Sequence, residues 1–494
     1  MKLLQATTKF IASRFMFILI LILITFSGCE GKDNTPPDEP PVPEDTVVAQ
    51  VYLTRGDQIK LFSKEANLSI KTSAPASWPV ITVDTAITYQ TIEGYGAALT
   101  GSSAYLMNRK MSSGARGTLL RELFDPATGI GISYLRLTMG ASDFSLSNFS
   151  YNDIPANDTD FELQHFSLSQ DTLDVIPVAK EITGVNPAMT FMGSPWSPPA
   201  WMKTSKSMVG GSLRTDCYST YAAYFVKYIQ GMSLKGIKID AITPQNEPLY
   251  STAAYPCMDM PAAAQLSFIR DHLGPAFAQA GLNTKIILYD HNWDHPEYPI
   301  TILNDPDAKQ YIAGSAFHAY GGQVSAMTTV HNAHPDKGLY FTEISGGDWA
   351  TDFSDNLIWN MQNIFIGTAR NWSKNALLWN LALDENDGPQ NNGCGDCRGV
   401  VTINSSSGVV TRNVEYYALA HFAKFIRPGA VRINTKLASG LGNFDAVSFQ
   451  NTDGSKVLVA LNTNLEAKVF TIKQDKKYMF YTLPARSVAT ITWK

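Results

Sequence analysis

The chain has 494 residues, 45% of them hydrophobic and 17% charged, with a formal charge of −5. That composition excludes a disordered or fibrous polypeptide, and the excess of acidic over basic side chains argues against nucleic acid as a partner. The length suits one barrel of well over about 200 residues with a smaller domain beside it.

The N-terminus carries a targeting pattern. Lys2, Lys9 and Arg14 precede the apolar run MFILILILITF, which ends at Phe26-Ser27-Gly28-Cys29. The segment resembles a bacterial lipobox, with Phe26 where leucine is usual. That resemblance implies removal of residues 1–28 as a lipoprotein signal peptide and lipidation of Cys29; an ordinary signal peptide or a single spanning anchor is the alternative. Removal would take three basic and no acidic side chains and move the charge to about −8. Residues 29–47 are proline-rich and acidic and are expected to form an extended tether. No later segment reads as a membrane span. The expected location is the bacterial cell envelope, at the outer membrane, with the membrane as a partner only through the lipid.

Four cysteines then remain, Cys217, Cys257, Cys394 and Cys397. In an exported protein an even count favours disulfides, and Cys394–Cys397 with Cys217–Cys257 is the preferred pairing among the three connectivities. A zinc site is the alternative, but one C-x-x-C without a second pair is weak evidence for it.

Residues 48–88, with VAQVYLT and QIKLFS, alternate as strands do. From there to about residue 385, apolar β-rich runs alternate with helical stretches. Eight candidate strands are TIEGYGAAL (91–99), ISYLRLTM (132–139), MTFMGSPW (189–196), AITPQNEP (241–248), KIILYD (285–290), GSAFHAY (314–320), LYFTEIS (339–345) and ALLWNLAL (376–383). Between them, 220–232 and 260–281 show helical spacing. The pattern predicts an α/β protein whose residues 89–425 form a (β/α)8 TIM barrel, with a doubly wound open sheet as the alternative. GYGAALTG lacks the G-x-G-x-x-G spacing of a nucleotide-binding sheet. Beyond residue 425, VSFQ, VLVALNTN, KVFTIKQ and SVATITWK are strand-like again, so 48–88 and 426–494 are expected to build one appended β-sandwich.

Barrel strands converge at their C-terminal ends, and those of the fourth and seventh strands carry Asn246-Glu247-Pro248 and Thr342-Glu343-Ile344. Two carboxylates facing across a barrel mouth can flank a glycosidic bond, one protonating the leaving oxygen while the other attacks the anomeric carbon. The segments ITPQNEP and FTEISGG, together with GYGAALTGSSA, LRLTMGASDFS, SPWSPPAWMKT, FHAY, LLWNLALDENDGP and ALAHFAKFIRPGA, resemble glycoside hydrolase family 30 over nearly all the chain after residue 85. GYGAALTG departs from the family's G-F-G-G start, and the loop DGPQNNGCGDCRG (387–399) is a further departure.

The resemblance implies a retaining β-glycosidase with Glu247 as acid/base and Glu343 as nucleophile. It also implies Arg136 and Tyr320 as supports of Glu343, and Asp143, Trp196, Asn246 and Trp379 as substrate contacts. His318, in FHAY, is expected either to contact substrate or to orient a neighbour. Desolvation and the charge of Glu343 are expected to raise the pKa of Glu247. His291 and His295 have a metal-like spacing without a third ligand, and the family's chemistry is metal-free, so no cofactor is expected. The expected substrate is a β-linked glucan, best an endo-cleaved β-1,6-glucan, with other family activities (glucosylceramidase, β-glucosidase, β-1,6-galactanase, xylanase) as alternatives. The rivals from other classes are a surface glycan-binding protein without catalysis and a metal-dependent hydrolase. A monomer is expected.

Overall fold

The computed structural model describes residues 48–73, 78–155 and 157–494; the expected signal peptide, Cys29 and the tether lie outside the described residues. The principal strands begin with β1 (Val48–Arg55) and β2 (Val80–Thr91). Eight barrel strands follow: β3 (Gly94–Leu99), β4 (Tyr134–Thr138), β5 (Thr190–Ser194), β6 (Ala241–Ile242), β7 (Lys285–Asn292), β8 (Ile312–His318), β9 (Gly338–Glu343) and β10 (Asn375–Leu378). The chain ends with β11 (Val431–Leu437), β12 (Phe444–Gln450), β13 (Lys456–Asn462), β14 (Lys468–Gln474), β15 (Lys477–Leu483) and β16 (Ser487–Trp493).

The barrel strands pair in parallel in the order β10-β3-β4-β5-β6-β7-β8-β9. The seam between β9 and β10 is closed by the Lys374 amide on the Leu339 carbonyl and the Trp379 amide on that of Ile344, each at 2.8 Å. Side chains alternate across the barrel wall. Leu135, Leu137, Phe191, Leu339 and Phe341 join the large outer core under the helices, while Tyr134, Met192, Ala241, Ile287, Ala316, Tyr340 and Leu377 form a separate apolar layer inside. Two residues further along the same strands the inward positions turn polar: Arg136, Ser194, Thr243, His318 and Thr342, all buried. This switch inside the barrel marks the floor of the site. Gly96 allows β3 to close against β4, because a Cβ there would lie 1.8 Å from the Tyr134 carbonyl oxygen.

Helix α1 (Tyr218–Leu234) buries Tyr221, Phe225, Tyr228 and Met232, one stripe at helical spacing. Each such side chain contributes roughly 1.5–3 kcal/mol by leaving water. The predicted helix 260–281 forms as Ala262–Phe268 and Gly274–Gln279 joined by a wide turn, Ile269–Leu273. Pro275 accounts for the break, since its ring cannot accept the carbonyl four residues earlier in a regular helix.

Two predicted strands end early. AITPQNEP is extended only at Ala241–Ile242, and Glu247 adopts a left-handed backbone, φ +44°. ALLWNLAL leaves the barrel after Leu378, where Asn380 has φ +55°, and Ala382–Leu383 pairs instead with Val401–Ile403. Residues in this region of φ break a pleat.

The end segments share one sheet along the path β1-β16-β13-β12-β11-β2-β14-β15. β2 runs on past residue 88, and its register with β11 slips twice, bending the sheet. β14 and β15 thereby bury Phe470 and Met479 in the same core as Val51, Leu458 and Ile491. β13 reads VLVAL without alternation because both its faces are covered: Leu458 and Ala460 lie in this core, and Val457, Val459 and Leu461 lie in the core shared with the barrel.

Cys394 and Cys397 form a disulfide. The expected Cys217–Cys257 bridge is absent; both are free and buried. Cys217 sits beside Asp216 just before α1, whereas the Cys257 sulfur takes the amides of Gly210 and Thr252 at 3.2 and 3.3 Å. Each thiol is occupied in its own loop.

Helix α2 (Val414–Ala423) joins barrel and sandwich through His421, whose Nδ1 and Nε2 lie 2.8 Å from the hydroxyls of Thr490 and Thr54. The Thr490 hydroxyl donates to the His421 carbonyl, so its oxygen accepts from Nδ1–H and the ring is assigned as neutral. Burial pushes the imidazole down to about 3 from 6.5. Between those values the unfolded chain binds a proton that the folded chain refuses, so stability must fall with falling pH. Urea midpoints measured from pH 7 to pH 4 are expected to decline, and to decline less steeply in His421→Gln, which is itself less stable at pH 7.

Candidate active site

Arg136 projects from β4 into the barrel with no exposed surface. One guanidinium nitrogen donates to Glu343 Oε2 at 2.5 Å. Another reaches Asp290 Oδ2 at 2.8 Å, Asn246 Oδ1 at 2.6 Å and Ser194 Oγ at 3.2 Å. Its charged face also lies over the rings of Trp196 and Trp379, 4.9 and 5.5 Å from their centroids, and these two rings stack at 5.0 Å.

Asp290 completes the layer. Thr243 and Thr342 hydroxyls donate to it at 2.6 and 2.7 Å, Ser194 at 2.8 Å, and His318 Nε2 lies 3.1 Å away. Burial would raise this carboxyl, but Arg136, His318 and Thr243 hold it well below the usual range. β7 brings Asp290 inward by a bulge: Ala316 pairs with Tyr289 and Phe317 with His291, and Tyr289 and Asp290 have φ of +73° and +69°. A second slip pairs Phe317 with Phe341 and His318 with Glu343, so that Thr342 and Glu343 both serve the site. Asp290 was not among the residues anticipated from the sequence. Its only signal was an acid ending the apolar run KIILYD.

Glu247 is set by the turn after β6, where its amide donates to the Asp290 carbonyl at 2.9 Å. Its Oε1 lies 3.1 Å from His318 Nδ1 and 4.0 Å from His291 Nε2. Glu343 Oε1 accepts from the Tyr320 hydroxyl at 3.0 Å. One carboxylate oxygen of Glu247 and one of Glu343 lie within 4.8 Å of each other, with His318 completing the triangle. It is the one cluster of three metal-ligand residue types among the described residues. Arg136 already supplies a positive charge beside Glu343 at this point. His291 and His295 diverge, His291 to the cleft wall and His295 to a surface pair with Glu297 at 2.8 Å.

The titrations depart from the sequence expectation. Burial opposes charge on His318, but Glu343, Asp290 and Glu247 overcome it and push the imidazole up to about 9. Burial raises both glutamates. At Glu247 burial is the largest single effect, but the bond and charge of His318 together with the charges of His291 and Arg136 overcome it and leave the carboxyl below its ordinary value; at Glu343 burial prevails over His318 and Arg136, leaving it above. The free protein therefore stores its mobile proton on His318, one hydrogen bond from Glu247. Both oxygens of Glu343 accept, one from Arg136 and one from Tyr320, which keeps the carboxylate the form that fits the site.

The cleft above has a volume of about 340 Å³ and is lined by Asp143, Trp196, Asn246, Glu247, Tyr320, Glu343 and Trp379, with His291, Tyr250, Tyr255 and Trp349 around them. Every anticipated site residue in the barrel thus meets at one place, His318 at its floor. Asp143 Oδ1 is sealed and without a partner, and burial together with Glu343 and Glu247 pushes this carboxyl well above its usual range. A protonated Asp143 offers a hydroxyl-binding group. The Cys394–Cys397 bridge forms part of the same wall.

The model of the glycosyl hydrolase family 30 TIM-barrel domain matches residues 92–426, and that of the family's β-sandwich domain matches residues 429–491. The chain is 36% identical over 424 residues to the endo-1,6-β-D-glucanase of Neurospora crassa, covering 82% of this chain and 85% of that one. It is 35% identical to endo-1,6-β-D-glucanase neg1 of Aspergillus fumigatus, covering 84% and 88%. A solved structure of an endo-β1,6-glucanase superposes with a TM-score of 0.84 at 36% identity, covering 90% of this chain and 99% of that one.

NMR of histidine-labelled protein is expected to show His318 as an imidazolium at pH 7 that loses its proton near pH 9. Asp290→Asn removes a buried negative partner and is expected to lower that midpoint by about one pH unit or more.

Proposed function

The chain belongs to glycosyl hydrolase family 30, and on that footing we propose that it is a retaining endo-β-1,6-glucanase. The approach of the Glu247 and Glu343 carboxylate oxygens to within 4.8 Å carries the mechanistic part. So close an approach favours double displacement, with carboxyls about 5–5.5 Å apart, over an inverting site, which holds a water between carboxyls about 6.5–9.5 Å apart. The names of the relatives support the β-1,6 linkage and internal cleavage.

Glu343 attacks the anomeric carbon, the bond to the leaving oxygen breaks, and Glu247 gives that oxygen its proton. Substrate excludes water from Glu247, which favours the neutral pair over the ion pair. The proton on His318 Nδ1 then moves to Glu247 Oε1 and from there to the leaving group. In the second half Glu247 takes a proton from water as that water attacks the glycosyl ester, releasing Glu343 as carboxylate, and when the product leaves the proton returns from Glu247 Oε1 to His318 Nδ1. Arg136 and Tyr320 hold the charge of Glu343 before and after. The family resemblance gives Asn246, which Arg136 fixes, the sugar 2-hydroxyl to bind, and Trp196 and Trp379 the ring.

Export and lipid attachment at Cys29 belong to the same proposal, supported by the basic start, the apolar run and the small residues before the cysteine. A glucanase tethered at the outer membrane would meet polymer outside the cell.

On a linear β-1,6-glucan the wild type is expected to release a ladder of oligosaccharides, with the β anomer appearing first by NMR. Glu247→Gln and Glu343→Gln should each lower kcat on it by about three orders of magnitude or more. A ladder that persists in Glu343→Gln, or an α anomer appearing first, would refute the mechanism. In a bacterial host labelled with a fatty acid, the full chain should take up label and partition with membranes, and Cys29→Ser should do neither.

A further inference from the structure

Beside the catalytic cleft lies a second cavity of about 500 Å³, sharing Tyr320 and Trp349 with it and bounded further by Ile344, Trp359 and Asn360. This volume falls in the range of small-molecule sites, roughly 300–1,000 Å³. Trp349 is 57% exposed and Trp359 41%. Neither ring is loose. Trp349 lies against Gly347, where a Cβ would stand 2.0 Å from the ring. Gly347 pairs with Cys397 of the disulfide, its carbonyl accepts from Arg398 Nη1 at 3.0 Å, and the Asp348 amide donates to the Asp396 carbonyl at 2.8 Å. Trp359 ends the helix Phe353–Trp359, whose Ser354 hydroxyl accepts from Arg486 Nε at 2.6 Å while Asp355 pairs with the same guanidinium. Arg486 belongs to the turn that leads into β16 of the sandwich.

Two aromatic faces open to water, one on a loop tied by backbone bonds and the other on a helix tied by the Arg486 side chain, are a ligand surface formed in advance. Asp355, Asn356 and Asn360 stand beside the rings. An apolar face next to polar groups suits a pyranose, which has C–H faces and a hydroxyl rim. The continuity with the catalytic cleft selects the occupant. Resting on the proposed glucanase reading, we infer that this cavity is an outer subsite that binds a further glucosyl unit of the glucan chain whose scissile bond lies between Glu247 and Glu343, with Trp349 and Trp359 as its platforms.

The test compares kcat/KM on β-1,6-glucan with kcat/KM on an aryl β-glucoside, which has no second sugar, for wild type, Trp359→Ala and Trp359→Phe. In Trp359→Ala the ratio of the two is expected to fall about tenfold, equivalent to about 1.4 kcal/mol, and in Trp359→Phe to recover most of that loss. Calorimetry of a Glu343→Gln background with β-1,6-linked oligosaccharides of increasing length should show affinity rising with length, and Trp359→Ala should flatten the rise. An unchanged ratio, or equal losses on both substrates, overturns the subsite. Should Trp359→Ala not fold, Trp359→Phe and Trp359→Gln decide the matter by the same ratio. A wild type inactive on β-1,6-glucan but active on another β-glucan refutes the linkage instead, and the ratio taken on that glucan then decides the subsite.

Discussion

Arg136 carries a full charge in the middle of the barrel with none of its surface exposed, and the geometry of the site follows from satisfying it. A guanidinium without water must be met by carboxylates and hydrogen-bond acceptors placed to fit its fork. Asp290, Glu343, Asn246 and Ser194 do this from four different strands or strand ends. Removing one anion from such a network typically costs about 3–5 kcal/mol, because the remaining charge is left buried alone. The same contacts that stabilise the barrel mouth therefore fix Glu343 and Asn246, the residue next to Glu247.

The network also gives two carboxylates so close together different surroundings. Arg136 and Tyr320 occupy both oxygens of Glu343, whereas Glu247 meets only imidazoles, His318 within hydrogen-bond reach and His291 further off. His318 Nδ1 is 3.1 Å from Glu247 and 4.0 Å from Glu343, so it bonds to the first and adds only its charge to the second. His318 stands between Asp290, which holds it charged, and Glu247, which needs its proton. Asp290 thus governs both sides of the site at once, and neither carboxylate reaches it directly.

The barrel was legible because its strands are short apolar runs bounded by turns, and the two glutamates because each ends such a run. The apolar-to-polar switch at Tyr134/Arg136, Met192/Ser194 and Tyr340/Thr342 was also written in the sequence, though only the assembled strands show that it forms a layer. Asp290 was hidden by a bulge: counting by twos from Ile287 points it outward, and backbone geometry alone turns it in. The true extent of β6 was hidden likewise by the left-handed Glu247. The cysteine pairing failed at Cys217 and Cys257 because an even count says nothing about distance, whereas a separation of three residues nearly dictates the Cys394–Cys397 bridge. The two ends of the chain declared themselves as strands, but the parallel pairing of β2 with β14 across the bend had no local signal.

The left-handed backbone of Glu247 has a consequence for how this protein can change. A non-glycine residue held at φ +44° stores of order 1 kcal/mol or more against the fold, and glycine or asparagine would relieve it. The strain sits on a carboxylate that also meets the buried, charged His318, so a substitution that relaxes the backbone leaves that imidazole short of one anion, and the two changes oppose each other. Selection for heat resistance alone therefore has no single direction at this position, and directed evolution here must select for turnover at every round.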